Sequence, residues 1–255
     1  MRLGISNLAW RRDEDAELLA ELRGLDALEV APTKLWDEPL AVPPETLAEY
    51  RTRAGLPIAA LQALLHGHPE LTVFGESRDA TLVHLREMCD LAARLGARVL
   101  VFGSPRNRQR EGRSAEHAVA FFRELGEYAA ERGVCVCVEP LPPELDTDFV
   151  NTAAEAAELV REVASPGFGL HLDSSSLHLT GEDPFEAIGP GLRHFHASEV
   201  GFGVLGTTGV DHERCAQALR RAGYDGVVSI ELLAVEGRNR ERVLASVDHA
   251  RRSYG

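Results

Sequence analysis

Short apolar runs rich in β-branched residues alternate with amphipathic stretches along this 255-residue chain, and few folds accommodate that alternation. The clearest run is Gly133-Val134-Cys135-Val136-Cys137-Val138-Glu139-Pro140. Its unbroken apolarity is that of a parallel strand buried on both faces. The pattern predicts strands at 3–9, 27–31, 57–64, 98–102, 134–139, 169–173, 193–196 and 227–231. Helices are predicted between them, at 13–22, 43–54, 77–95, 114–132, 151–164, 183–188 and 211–222, with a last one at 238–252. Pro43-Pro44 opens one helix, and Gly55, Gly96 and Gly133 end three others. The chain therefore reads as α/β, and eight βα units within one domain, residues 1–255, close a (β/α)8 barrel. An open doubly wound sheet is the competing arrangement, but no Gly-x-Gly-x-x-Gly turn follows the first strand.

Four successive strands end in residues that ligate metals. Glu139 closes the fifth, Asp173 the sixth, His196 the seventh and Glu231 the eighth. In a parallel barrel the strand C-termini share one rim, where function resides. A single acid at a strand end is often only a loop cap, and a single barrel histidine is usually hydrogen-bonded core. Four such residues on adjacent strand ends are better explained by one shared ion. Three carboxylates and one imidazole suit Mn²⁺ or Mg²⁺, and Zn²⁺ or Co²⁺ less well.

Composition narrows the partners. The formal net charge of −13 disfavours nucleic acid and anionic membrane surfaces. The N-terminus shows no apolar signal segment. The 4 cysteines include no Cys-x-x-Cys pair, so reduced thiols in a cytoplasm are expected. Lys34 is the only lysine, and nothing around it suggests Schiff-base chemistry. Glu29 and Gln62, in the second and third strands, are candidate contacts to substrate hydroxyls. Arg106, after the fourth strand, is a candidate grip on a substrate anion, whereas Arg108 and Arg110 read as surface charge. His171 and His194 share strand faces with Asp173 and His196 and read as orienting residues or polar core.

The pattern Glu139-Pro-Leu-Pro, Leu-Asp173-Ser, His194-Phe-His196 and Ser229-Ile-Glu231-Leu resembles the xylose-isomerase-like TIM barrels. That group includes sugar epimerases of the D-tagatose 3-epimerase type, hydroxypyruvate isomerase, inosose dehydratase and endonuclease IV. The resemblance implies that Glu139, Asp173, His196 and Glu231 hold a divalent metal. It also implies that Glu139 and Glu231 are the paired acid and base. The implied enzyme is an isomerase or epimerase of a sugar, polyol or hydroxy-ketone, working by proton abstraction alpha to a carbonyl through an enediolate. A dehydratase or lyase on the same metal, and a non-catalytic small-molecule-binding barrel, are the alternatives. Barrels of this group often pair, so a homodimer is expected.

The chain departs from the epimerase pattern at three positions. Ser176 stands where a histidine usually follows the sixth-strand Asp, and His178 is a possible substitute. Phe202 replaces an arginine beyond His196. Leu145 replaces a second glutamate, with Glu144 and Asp146 beside it. Asp146, Ser176 and His178 are therefore candidate substrate contacts. His66 and His68 lie in a loop rather than at strand ends, which disfavours the zinc-rich endonuclease.

Overall fold

The computed structural model describes residues 1–189 and 191–255. The strands β1 (Arg2–Ser6), β2 (Ala27–Val30), β3 (Ile58–Leu61), β4 (Val99–Phe102), β5 (Cys135–Val138), β6 (Phe168–Asp173), β7 (Leu192–Ser198) and β8 (Val227–Glu231) form a closed barrel in chain order. Every neighbouring pair is parallel, and β1 against β8 completes the ring, with Leu3 opposite Val228.

The covering helices are α1 (Asp15–Glu21), α2 (Pro44–Ala54), α3 (Arg78–Leu95), α4 (Glu116–Glu131), α5 (Ala153–Val163), α6 (Ser174–Thr180), α7 (Pro184–Ala187), α8 (His212–Arg221) and α9 (Asn239–Tyr254). Their apolar faces pack against the outward strand residues. Phe121, Phe122 and Leu125 of α4, for example, are fully buried, and Phe122 stacks on Phe168 of β6. Gly55 and Gly96 end α2 and α3 at positive φ, as read from sequence. Thr152 caps α5 through a reciprocal capping box with Glu155. No described helix is long and apolar enough to cross a membrane.

Two differences from the expected elements matter for the site. β7 continues two residues past His196 to Ser198, so His196 lies inside the strand rather than at its end. Helix α6, unforeseen in the sequence, starts directly after β6, with Asp173 as its N-cap.

Candidate metal centre and its buried floor

Side chains alternate across a strand, so every second residue of β5 to β8 points into the barrel. The interior at the C-terminal end is consequently polar, where barrels are usually filled by branched apolar residues. Glu29, His171, His194, His196 and Ser229 are all buried there. Ligand-type atoms of Asp173, His196 and Glu231 lie within 4.8 Å of one another. Glu139, just beyond β5, forms a second such set with His171 and His196. His196 thus links all four residues singled out in the sequence.

His196 is held from both sides. Its Nε2 bonds Glu29 Oε2 at 2.9 Å, and its Nδ1 stands 3.3 Å from Glu231 Oε2 with no hydrogen-bond partner. Burial alone disfavours charge on this ring, but Glu29 and Glu231 hold it well above the usual histidine range. Glu29 is held well below the usual carboxylate range, its burial penalty outweighed by His196 and His194.

Asp173 has two tasks. Its Oδ1 accepts from the Ser176 backbone N–H (2.8 Å) and from Ser175 Oγ (2.7 Å), capping α6. Its Oδ2 accepts from Ser198 Oγ at 2.6 Å, so one lone pair on that oxygen stays free.

Glu139 occupies a tight space. A Cβ added to Gly103 would overlap Glu139 Oε2 and lie 3.2 Å from its Cδ, so glycine at 103 makes room for the carboxylate. Burial, then Glu231 and Asp173, push Glu139 up to about 8, with His196 and Arg108 opposing. Its Oε1 lies 3.6 Å from His171 Nε2.

The expected substrate contacts are placed as follows. Glu29 is not at the mouth facing substrate; it is 1% exposed and bonded to His194 and His196. Its side chain points inward from the middle of β2, and the two imidazoles satisfy it there. Gln62, directly after the C-terminal end of β3, is buried and donates to Ser6 Oγ at 2.6 Å. Arg106 stands exposed, lining a groove with Ser104 and His66. Asp146 is exposed at the end of a turn and bonds Gln109 through its backbone oxygen. Ser176 is buried as part of the α6 cap, and His178 is exposed on α6, away from the four-residue cluster, lining a cleft with Asp183 and Arg214.

Two buried charged residues near the cluster differ from what the sequence pattern suggests. Arg108, taken as surface charge, is fully buried. It donates from Nη1 to the Glu139 carbonyl at 2.7 Å, and burial lowers its pKa to about 10. Glu199, beyond β7, is also fully buried and accepts from Gly206 N, Thr208 N and His212 Nε2. It thereby pins the 201–209 loop, and His212 is in turn bonded to Tyr254. Nothing local in the sequence marks Arg108. The only signal for Glu199 is the His212 that faces it.

The residues fit a divalent cation. The buried His196 Nδ1 has no hydrogen-bond partner and lies 3.3 Å from Glu231 Oε2; Asp173 and Glu231 form one ligand set with His196, and Glu139 forms another with His196 and His171. Asp173, His196 and Glu231 could hold the ion, with Glu139 as the fourth ligand.

Comparison with known proteins agrees with this architecture. A family model described as xylose isomerase-like TIM barrel matches residues 16–253. L-ribulose 3-epimerase of Methylomonas sp. (strain DH-1) is 27% identical over 225 residues, covering 84% of this chain and 76% of the relative. A solved D-psicose 3-epimerase, crystallised in the presence of D-fructose, superposes with a TM-score of 0.82 at 18% identity over 100% of both chains. The IOLI protein with a binding zinc atom superposes at 0.78 with 22% identity, over 100% of this chain and 98% of that one.

Proposed function

The chain belongs to the xylose isomerase-like TIM barrel family, and from that premise we propose that it is a divalent-metal-dependent epimerase of ketose sugars. The observation that carries this reading is the pair of carboxylates, Glu139 and Glu231, gathered on His196 at the barrel mouth. The similarity to L-ribulose 3-epimerase supports the substrate class.

Glu139, Asp173, His196 and Glu231 would hold the cation, which would supply Lewis-acid polarisation of the substrate carbonyl. The oxygen-rich donor set favours Mn²⁺ or Mg²⁺ over Zn²⁺ or Co²⁺. The residues do the proton chemistry. Glu231 takes the proton alpha to the carbonyl from one face, leaving an enediolate. Glu139, carrying the proton in this direction of the reaction, delivers it to the opposite face. Return to the same carbon from the other side inverts that centre, which is epimerisation. In the reverse direction the two residues exchange roles.

The test is turnover of L-ribulose, D-psicose and D-tagatose in D₂O with added Mn²⁺. Epimer formation with deuterium at the inverted carbon is the expected result. A dehydrated product instead would assign the site to a lyase, and no exchange with any ketose would reject the proposal.

A further inference from the structure

Glu29, a candidate substrate contact from sequence, is buried and bonded to two histidines. It reaches across the barrel interior from β2 to β7, 167 residues away in the chain. Its Oε2 meets His196 Nε2 at 2.9 Å and His194 Nε2 at 3.3 Å. A carboxylate without its proton only accepts hydrogen bonds, so the nitrogen facing it carries the hydrogen. The other nitrogen of His196, Nδ1, is then the one that faces Glu231 and Asp173, and it gives up its proton when an ion binds there.

We infer that Glu29 is the positioning residue of the metal centre: it fixes the His196 ring and tautomer so that Nδ1 faces the ion. The inference rests on the metal reading given above. Metal-bound histidines commonly give their second N–H to a carboxylate, which orients the ring and raises its basicity. Three features set Glu29 apart from ordinary polar core. It is 1% exposed, and its Oε1 has no partner. Burying a carboxylate carries a large desolvation cost, and replacing a whole buried pair by apolar residues is often neutral or stabilising, so stability alone does not require this one. The contact also spans the barrel interior, a reach that a shorter aspartate does not provide. His171, whose ring centroid lies 4.1 Å from that of His196, packs on the ring from the other side without bonding it.

The test compares the wild type with Glu29→Leu and Glu29→Gln. Calorimetric titration with MnCl₂ gives the affinity, and thermal unfolding of the metal-stripped protein gives the stability. Nitrogen-15 spectra of the histidines with Zn²⁺ as a diamagnetic probe give the tautomer. The expected Mn²⁺ affinity loss is about 10- to 100-fold in both variants. Metal-stripped Glu29→Leu should unfold below the wild-type temperature, because it leaves His194 and His196 without their acceptor. The readouts that a purely structural role would not move are the affinity of Glu29→Gln, which keeps the side-chain length, and the histidine tautomer. The wild-type spectrum should show His196 protonated at Nε2 with the metal on Nδ1. Wild-type affinity in both variants, or metal on Nε2, would overturn the role of Glu29 and leave the metal centre standing. If the wild type binds neither ion, the metal reading itself falls, and this inference with it. Should Glu29→Leu fail to fold, Glu29→Gln and the wild-type spectrum decide. The glutamine amide can donate to Nε2 and favour the wrong tautomer, so it too must weaken binding.

Discussion

Gly103→Ala is the smallest change that probes the geometry of the candidate base pair. The added methyl would fall inside the contact radius of Glu139 Oε2 and lie 3.2 Å from its Cδ. Gly103 is outside the left-handed region, so alanine brings no backbone strain. The group that must yield is the far end of a flexible side chain, which moves at little cost to folding. Restoring an ordinary separation displaces the carboxylate by on the order of 1 Å, and such a misplacement lowers rates by about 10²-fold. At about 1.36 kcal/mol per tenfold, that is roughly 2.7 kcal/mol of transition-state stabilisation. The assay is kcat for ketose epimerisation at saturating Mn²⁺, alongside a thermal melt. The expected outcome is a melting temperature within a few degrees of wild type, roughly the margin set by a sub-kilocalorie change, and a kcat down about a hundredfold. Undiminished kcat in a folded Gly103→Ala protein would refute the placement of Glu139 as a working group.

Glu139→Gln should fold normally and lose turnover; retained epimerisation would remove Glu139 from proton transfer. Asp173→Asn keeps an N-cap acceptor for α6 yet loses the anionic donor. It should therefore melt near wild type while its metal content, read by elemental analysis, drops; unchanged content would argue against ligation. Burial, with a smaller contribution from His249, holds His212 below its ordinary 6.5, although Glu199 opposes this. The unfolded chain then binds more protons than the native state in the window below 6.5. Stability attributable to His212 is accordingly full above that value and declines as the pH falls through it. Glu199, kept below the ordinary carboxylate range by Thr208, Gly206 and His212 against its burial penalty, acts with the same sign at lower pH. His212→Gln should flatten the pH dependence of the melting temperature between neutral and mildly acidic pH, and an unaltered slope would show that another group is responsible.

The barrel was legible because parallel strands buried on both faces must be continuous apolar runs, and runs such as Val134–Val138 have no other stable reading at that length. Glu139, Asp173 and Glu231 were legible for the complementary reason: an acid that closes such a run needs a partner. What escaped was tertiary. Ser174-Ser175-Ser176 carries no amphipathic period, so α6 became visible only through its Asp173 cap. Glu29 sits inside Leu28-Glu29-Val30, where pattern alone cannot say whether an inward acid meets solvent, substrate or histidines. Arg108 looks like loop charge until the chain folds it onto the Glu139 carbonyl.

The central claim is that Glu139, Asp173, His196 and Glu231 jointly hold one divalent ion. Anomalous diffraction at the manganese edge from crystals of the Mn²⁺-loaded protein tests it most directly. A single strong peak bounded by His196 Nδ1 and the three carboxylates is the expected result. A peak at another site, or a fully loaded crystal with none there, would contradict it.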